Sequence, residues 1–305
     1  MVRINLFFCA FILLFFVFAK PIAAQSNVIT VSPQLLQLDL GKDNPEAIFS
    51  YTNSTNQTVE LTLSMEDVRE LEDRGIPDIL NRNESKNYKY GLSSWATFST
   101  KSLVIQPGET KSVTVFIDKS RLSQGGHYAS LLAEVSQIAN DKSVKLRAIL
   151  ASLLFVRTGA GFEREQAEVN DIVVNQDYYS FPSSISFLLH NTGNVDLTPY
   201  GVITISDAFG HRVAKGIINE NSLITLPDSN RKYGNSISKH TRFLVPGIYI
   251  ANLEVNYGRN KTKITKTVHF MTLGSISAKA LGVLVLVLVG AVIVSLKFPR
   301  KKESV

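Results

Sequence analysis

The chain has 305 residues, of which 45% are hydrophobic, and 32 Lys and Arg against 26 Asp and Glu give a formal net charge of +6. The excess comes from the two ends. Seven of the basic and one of the acidic residues lie outside residues 25–278, which leaves 25 of each sign between them. Because this central part has no net charge, the electrostatic footprint of a nucleic-acid-binding protein is missing, and no nucleic acid is expected as a partner.

A secretory signal peptide is predicted at residues 1–24. One basic residue precedes an apolar run over residues 4–19, and small residues stand before the expected cleavage point after Ala24. Because these features also suit an uncleaved membrane anchor, that alternative stays open. The only cysteine, Cys9, lies in this segment, so the mature chain is predicted to lack disulfides and thiolate metal sites. An exported protein without disulfides favours a bacterial or archaeal source.

The central part of the chain consists of short segments in which apolar and polar residues alternate. These segments are rich in β-branched and aromatic residues, which is typical of half-buried strands. No helical pattern of similar strength interrupts them, so the sequence predicts an all-β fold built of sandwiches. Clear examples are residues 47–51, 59–63, 112–117 and 264–270.

Two copies of one pattern indicate two tandem immunoglobulin-like β-sandwich domains. In each copy a strand runs into two asparagines three residues apart, a residue type that suits a tight turn. These are Asn53 with Asn56 and Asn191 with Asn194. Later in each copy a glycine stands two residues before a tyrosine that opens a strand, at Tyr128 and at Tyr249. A tyrosine there, with its hydroxyl bonded back to the backbone, is the tyrosine corner of immunoglobulin-like sandwiches.

The longer first copy carries its extra residues within Asp67–Ser94. This segment is charged and rich in Asn and Ser, which predicts a long surface loop with one helical turn at most. Loops of this length are often functional, so it is the first candidate for a contact surface, with a plain insertion as the alternative.

The first domain is assigned to residues 25–158 and the second to residues 166–273, with a linker at residues 159–165. An apolar run from Leu146 to Val156 is predicted to be the last strand of the first domain. This run of eleven residues, bounded by Arg147 and Arg157, is too short to span a membrane. Glycines at the start of the linker predict a hinge.

A single transmembrane helix is predicted at residues 280–296. These seventeen residues carry no charge and have no polar face, and their length is near the lower limit for crossing the hydrocarbon core. Four basic residues follow within residues 297–305, which predicts a cytoplasmic tail. The expected location is therefore the cell membrane, with the N-terminal part extracellular.

No catalytic, cofactor-binding or metal-binding residue is predicted. Gly159 and Gly161 lack the third glycine and the βαβ unit of a dinucleotide site, and no hydrolase, zinc-protease or phosphate-loop motif is present. Each histidine is predicted to be a surface or sandwich-edge residue. The histidines are His127, His190, His211, His240 and His269.

An acidic cluster and a single tryptophan are each interpreted as structural features and not as binding sites. The acidic residues between Glu66 and Asp73 are interleaved with arginines and lack the spacing of a calcium loop, so they predict a solvated face. Trp95 stands just before an alternating strand and is predicted to anchor the core, with a sugar-stacking platform as the alternative.

Several short motifs resemble those of bacterial WxL-interacting surface proteins, whose first domain is similar to the N-terminal domain of pilus chaperones. The motifs are Val31–Pro33, Ser94–Trp95, Leu103–Thr110, Gly125–Tyr128, Asn191–Val195 and Pro246–Tyr249. The resemblance implies a membrane-anchored protein whose first domain contacts the cell wall and whose second domain binds another surface or partner. The resemblance does not identify any individual binding residue in this chain.

The sequence therefore predicts a non-catalytic, single-pass cell-surface protein that binds or scaffolds, with cell-wall polymer or a surface protein as partner. The alternative is a chaperone-like factor that assists the assembly of surface or pilus subunits by β-strand addition. A free, exposed edge strand would favour this alternative.

Overall fold

The computed structural model describes residues 28–71, 76–137, 148–159, 161–177, 180–241, 244–273 and 278–297. These residues form two β-sandwich-like domains followed by a helix, which confirms the predicted all-β architecture. The predicted signal peptide and nearly all of the predicted cytoplasmic tail fall outside the described residues.

The described residues of the first domain form ten strands in two facing sheets. Their bounds are β1 Ile29–Ser32, β2 Leu35–Asp39, β3 Glu46–Asn53, β4 Val59–Leu71, β5 Ile76–Ile79, β6 Ala96–Phe98, β7 Ser102–Ile105, β8 Thr110–Ile117, β9 Gly126–Gln137 and β10 Ala148–Arg157. One sheet has the order β1-β3-β8-β6, and the other has the order β2-β10-β9-β4-β5, with β7 also paired to β4.

The chain crosses between the two sheets near its described start. Strand β1 pairs antiparallel with β3 in the first sheet, and β2 then pairs parallel with β10 in the second. Alternate residues of both sheets point inward, so apolar side chains such as Phe49, Leu61 and Leu131 are fully buried between them. This crossing determines how much of β10 is covered, because β2 reaches only part of that strand.

The second domain contains seven strands in one continuous ladder. Their bounds are β11 Ala167–Asn175, β12 Ser184–Asn191, β13 Tyr200–Ser206, β14 Arg212–Ile218, β15 Asn230–Lys239, β16 Gly247–Tyr257 and β17 Thr262–Thr272, in the order β11-β12-β15-β14-β13-β16-β17. Strand β15 pairs with β12 along its first part and with β14 at its end, so it joins both halves of the sandwich. Phe187, Ile203 and Leu253 from the two halves meet in one core.

The described part of Asp67–Ser94, residues 67–71 and 76–94, contains regular structure, and the prediction of a surface loop was wrong for most of it. Strand β4 continues to Leu71, β5 pairs back onto it, and a short helix α1 spans Arg82–Ser85. Asn81 caps this helix, because its side chain accepts the N–H groups of Asn83 and Glu84. The segment turns toward the second domain and contributes to the contact between the domains.

The C-terminal helix α2 spans Ala278–Lys297. The side chains described in it, at residues 282–283 and 285–293, are all exposed. Over the described portion of the chain, no helix combines the length and the apolarity that a membrane span needs. The span at residues 280–296 therefore stays a prediction.

Candidate functional site

Strand β10 has one edge that is only half covered. Its register with β2 begins at Leu153 and runs to Arg157, so Ala148–Ser152 pair with no strand on that side among the described residues, although β1 of the facing sheet passes close to β10. The N–H of Leu153 donates to the carbonyl of Gln34 at 2.8 Å, which shows that this residue directs its backbone toward the β2 side. Because backbone direction repeats every two residues, Ile149 and Ala151 present their N–H and C=O groups at the open edge.

The side chains around the open edge are uncharged and, apart from Ser152, apolar. Ile149 is 64% exposed on the outer face, whereas Leu150 points inward and packs partly against the core. Across the seam, Ile29 and Val31 of the facing sheet are also half-buried against that core. A further strand at this edge would therefore meet backbone groups in the sheet plane and apolar surface on the inner side.

Other described edges carry the features that normally prevent strand pairing. Strands β1, β5, β6 and β7 have only three or four residues. Strand β11 is interrupted by a bulge after Asn170, where Asp171 adopts a φ of 47°. Strand β17 is long but carries Lys263 and Lys266. Neither the open half of β10 nor the free side of the five-residue strand β2 carries these protections, so the open half of β10 is one candidate binding edge.

The C-terminal half of β10 lies at a junction between the domains that is centred on Asp196. The Tyr128 hydroxyl donates to the Asp196 carboxylate at 3.2 Å and accepts the Asp196 N–H at 2.7 Å. Burial raises the pKa of Tyr128 well above its usual value, so the hydroxyl stays protonated and remains a donor. Arg157, the last residue of β10, places Nε 3.1 Å from the same carboxylate. The strand that carries the open edge is thus fixed to the second domain at its other end.

The predicted tyrosine corner is confirmed in the second domain only. The Tyr249 hydroxyl donates to the Val245 carbonyl at 2.7 Å, four residues upstream. Tyr128 instead bonds across the junction to Asp196. Gly126 permits this position, because a Cβ there would lie within 2.6 Å of the Tyr128 ring.

Gly125 allows the two backbones to approach closely. A Cβ on this residue, which has a φ of 123°, would lie 2.6 Å from the carbonyl oxygen of Asn194. The adjacent Gly126 N–H donates to the same oxygen at 2.8 Å. The second asparagine turn therefore docks on the Gly-Gly pair of the first domain.

A second polar contact joins the domains through Glu70, which is 7% exposed. Its carboxylate pairs with Arg231 and accepts the Leu226 N–H and the Ser229 hydroxyl, both at 2.9 Å. Asp67, 1% exposed, accepts the N–H groups of Leu92 and Ser93 within its own domain, both at 2.7 Å. The prediction of a solvated acidic face was wrong for these two residues. Both carboxylates are buried, and the groups that donate hydrogen bonds to them offset the free-energy cost of that burial. Glu72 and Asp73 lie outside the described residues.

The described part of the linker is also bonded at the junction. The Arg164 N–H donates to the Asn194 side chain at 2.6 Å, and Glu165 accepts the Arg259 N–H at 2.7 Å. The Arg259 guanidinium extends to Glu163 at 3.1 Å. Residues 161–165 therefore carry several bonds to the second domain.

Two further residues differ from their predicted environments. Trp95 is half-buried at the end of a 3₁₀ helix, with the Arg121 guanidinium 5.7 Å from its ring, and it is not part of the core cluster. Leu92, three residues earlier, occupies the core instead. His127 was predicted to be a surface or sandwich-edge residue, yet it is 2% exposed and bonds the carbonyl oxygens of Gly91 and Ser123.

Comparison with known proteins gives only loose likenesses. No protein-family model matches the chain, and no curated protein matches its sequence. The YadV chaperone shares 9% identity over 79% of this chain and 99% of its own, with a TM-score of 0.40. A chain from the Salmonella enterica SafA pilin–SafB chaperone complex shares 7% over 82% and 98%, with a TM-score of 0.38.

A chain from the Acinetobacter baumannii CsuC–CsuE chaperone-tip adhesion subunit pre-assembly complex shares 11% identity over 67% of this chain and 89% of its own, with a TM-score of 0.37. At TM-scores below 0.5, the function has to be argued from the geometry of the chain itself. Membership of the WxL-interacting family stays a prediction.

Proposed function

We propose that this protein is a non-catalytic binding protein that holds an extended segment of another exported protein by β-strand addition. The observation that carries the proposal is the open edge of β10, where Ile149 and Ala151 direct backbone donors and acceptors outward. In strand addition, backbone hydrogen bonds supply the affinity and alternate side chains supply the specificity. This edge offers five residues without a charge.

The chemistry of the edge indicates what the bound segment should look like. Its inward side chains would rest on Leu150, Ile29 and Val31, so apolar residues are expected at every second position. Its outward side chains would stand beside Ile149. Such alternating segments belong to strands that have not yet joined their own sheet, which suits a chaperone-like role.

We also propose that the protein works from a membrane anchor, with both domains outside the cytoplasm. The apolar run within residues 1–24 and the basic residues after position 296 support this orientation. The predicted contact with cell-wall polymer remains open, and the geometry favours the strand-addition alternative over it.

Photo-crosslinking in native membranes tests the proposal. A photoreactive phenylalanine at Ile149 of the full-length protein should give adducts with a small set of exported proteins. The same group at Phe209, 81% exposed in the second domain, is the control and should not give them.

The variant Ala151→Pro sharpens this experiment. It removes a backbone N–H that points to the open edge, so no bond to β9 is lost. The adducts from position 149 should disappear in this background. Adducts that persist, or that form equally from position 209, would show that strand addition is not the mode of binding.

A further inference from the structure

A cavity of about 220 Å³ lies between the two domains, next to the end of the open edge. It is larger than the roughly 150 Å³ cavity that accommodates benzene in an engineered protein, so it has room for one large apolar side chain. Its walls come from both domains and are mainly apolar. They include Leu35, Leu153 and Phe155 from the first domain and Leu223, Ile224 and Leu226 from the second.

The mouth of this cavity coincides with the point where the open edge stops. Leu35 and Leu153, which line it, are the first register pair between β2 and β10. A strand added along Ala148–Ser152 would therefore meet Leu35 in its path and could not continue in the sheet. It has to turn out of the sheet there, beside the cavity.

The outer face of β10 also runs from the open edge toward the cavity. Ile149, Ala151 and Leu153 alternate on that face, and Ile149 to Leu153 covers about 13 Å at 3.3 Å per residue. Two rim residues of the cavity are accessible, since Leu35 is 37% exposed and Leu223 is 43% exposed. The apolar surface thus continues from the open edge into the cavity.

The charged groups of the cavity are already paired, and Arg69 bonds Asp78 at 2.8 Å. Arg231 and Glu70 form an ion pair there, and Glu70 also accepts the Leu226 N–H. A charged ligand group would have to compete with this buried pair, whereas an apolar group would not. The cavity therefore suits an aliphatic or aromatic side chain.

We infer that the cavity anchors the partner: a large apolar side chain of the bound segment, one or two residues beyond its paired part, inserts between Leu35 and Leu223. This inference rests on the proposed strand addition and adds a specificity rule to it. A segment needs alternating apolar residues for pairing and one large apolar residue just outside the paired stretch.

Peptide binding to the full-length protein in detergent micelles tests this rule. The probes are two fluorescent peptides, Lys-X-Ser-Thr-Val-Thr-Val-Thr-Ser-X-Lys, with X either Leu or Ala. Placing X on both sides serves either strand direction. The Leu peptide should bind about tenfold more tightly than the Ala peptide, because more apolar surface is buried.

Three variants distinguish the contribution of the cavity to peptide binding from that of the open edge. Leu223→Glu puts a carboxylate into the cavity wall and should reduce binding of the Leu peptide to the level of the Ala peptide. Phe209→Glu makes the same change at an exposed position outside the cavity lining and should alter neither affinity. Ala151→Pro removes an edge N–H and should abolish binding of both peptides.

The outcomes distinguish the two proposals. Equal affinity of the two peptides for the wild type, with both lost in Ala151→Pro, would overturn the anchor and leave strand addition standing. Binding that survives Ala151→Pro, or binding of neither peptide to the wild type, would overturn strand addition and the anchor with it.

Discussion

The two domains use the same local motifs for different purposes. Asn53 and Asn191 are both fully buried, and each donates its side-chain amide to the carbonyl four residues later, at 2.8 Å in both cases. The two tyrosines diverge, since Tyr249 closes its own domain whereas Tyr128 bonds to Asp196 of the other. The second asparagines diverge too: Asn56 is exposed, and Asn194 docks on the first domain. The junction is therefore made by a few side chains that differ between the two domains, whereas the local motifs that carry them are shared.

Removing the centre of the junction should have the largest effect. The substitution Asp196→Ala removes the carboxylate closest to the Arg157 guanidinium, which keeps only Glu165 at 3.5 Å and Glu163 at 3.9 Å, and it takes away the acceptor of the Tyr128 hydroxyl. Loss of one partner of a buried pair costs about 3–5 kcal/mol of unfolding free energy. Chemical denaturation of the full-length protein in micelles measures it.

The matched control for that prediction is Glu254→Ala. Glu254 pairs with Lys263 at 2.7 Å, but both side chains are nearly half exposed, so about 1 kcal/mol or less is expected. Similar losses in the two variants would mean that the Asp196 cluster does not hold the domains together.

The two tyrosine hydroxyls should differ by a smaller amount. Tyr128→Phe leaves the buried Asp196 N–H without its acceptor, so a loss of about 1–3 kcal/mol is expected. Tyr249→Phe removes one hydrogen bond to Val245, which is worth about 1 kcal/mol. Denaturation of both variants under the same conditions makes the comparison. A larger loss for Tyr249→Phe would contradict the role given to Tyr128.

Alkaline pH should reveal the same difference between the two tyrosines through a smaller change in the unfolding free energy. Burial raises the pKa of Tyr128 well above 10.0, and burial also raises the pKa of Tyr249. A group whose pKa is higher in the folded state contributes stability that is complete below its unfolded value and is lost as pH rises through its folded value. Above pH 10 the unfolding free energy should therefore fall, by at most about 1.4 kcal/mol per pH unit for each tyrosine.

The variant Tyr128→Phe should flatten this decline more than Tyr249→Phe does. Unfolding free energies measured across the alkaline range, with tyrosinate absorbance followed in parallel, give the slopes. Identical slopes in the two variants would indicate that the two hydroxyls lie in equally polar surroundings.

The sequence was sufficient for the features that depend on local pattern. The two domains, the asparagine turns and the Tyr249 corner follow from strand periodicity and from short-range hydrogen bonding. The last strand of the first domain was also predicted, at Leu146–Val156, close to the observed Ala148–Arg157. The pattern did not indicate which part of this strand would be covered, because that depends on where β2 ends its crossing.

Two of the errors concern residues whose partners are distant in the chain. Glu70 resembles a solvated residue among alternating charges, yet it bonds Leu226, 156 positions away. Tyr128 looks like a local corner, and its partner Asp196 is 68 positions away. Neither contact leaves a signal in the spacing of nearby residues, because domain packing alone brings the partners together.

The most direct test of the account is residue-resolved amide hydrogen exchange along β10 in the full-length protein, with and without the Leu peptide. Leu150 and Ser152 direct their N–H groups to β9 and should exchange slowly in both states. Ile149 and Ala151 should exchange fast in the free protein and become protected when the peptide binds. Protection of these two amides without peptide, or fast exchange with it bound, would contradict strand addition at this edge.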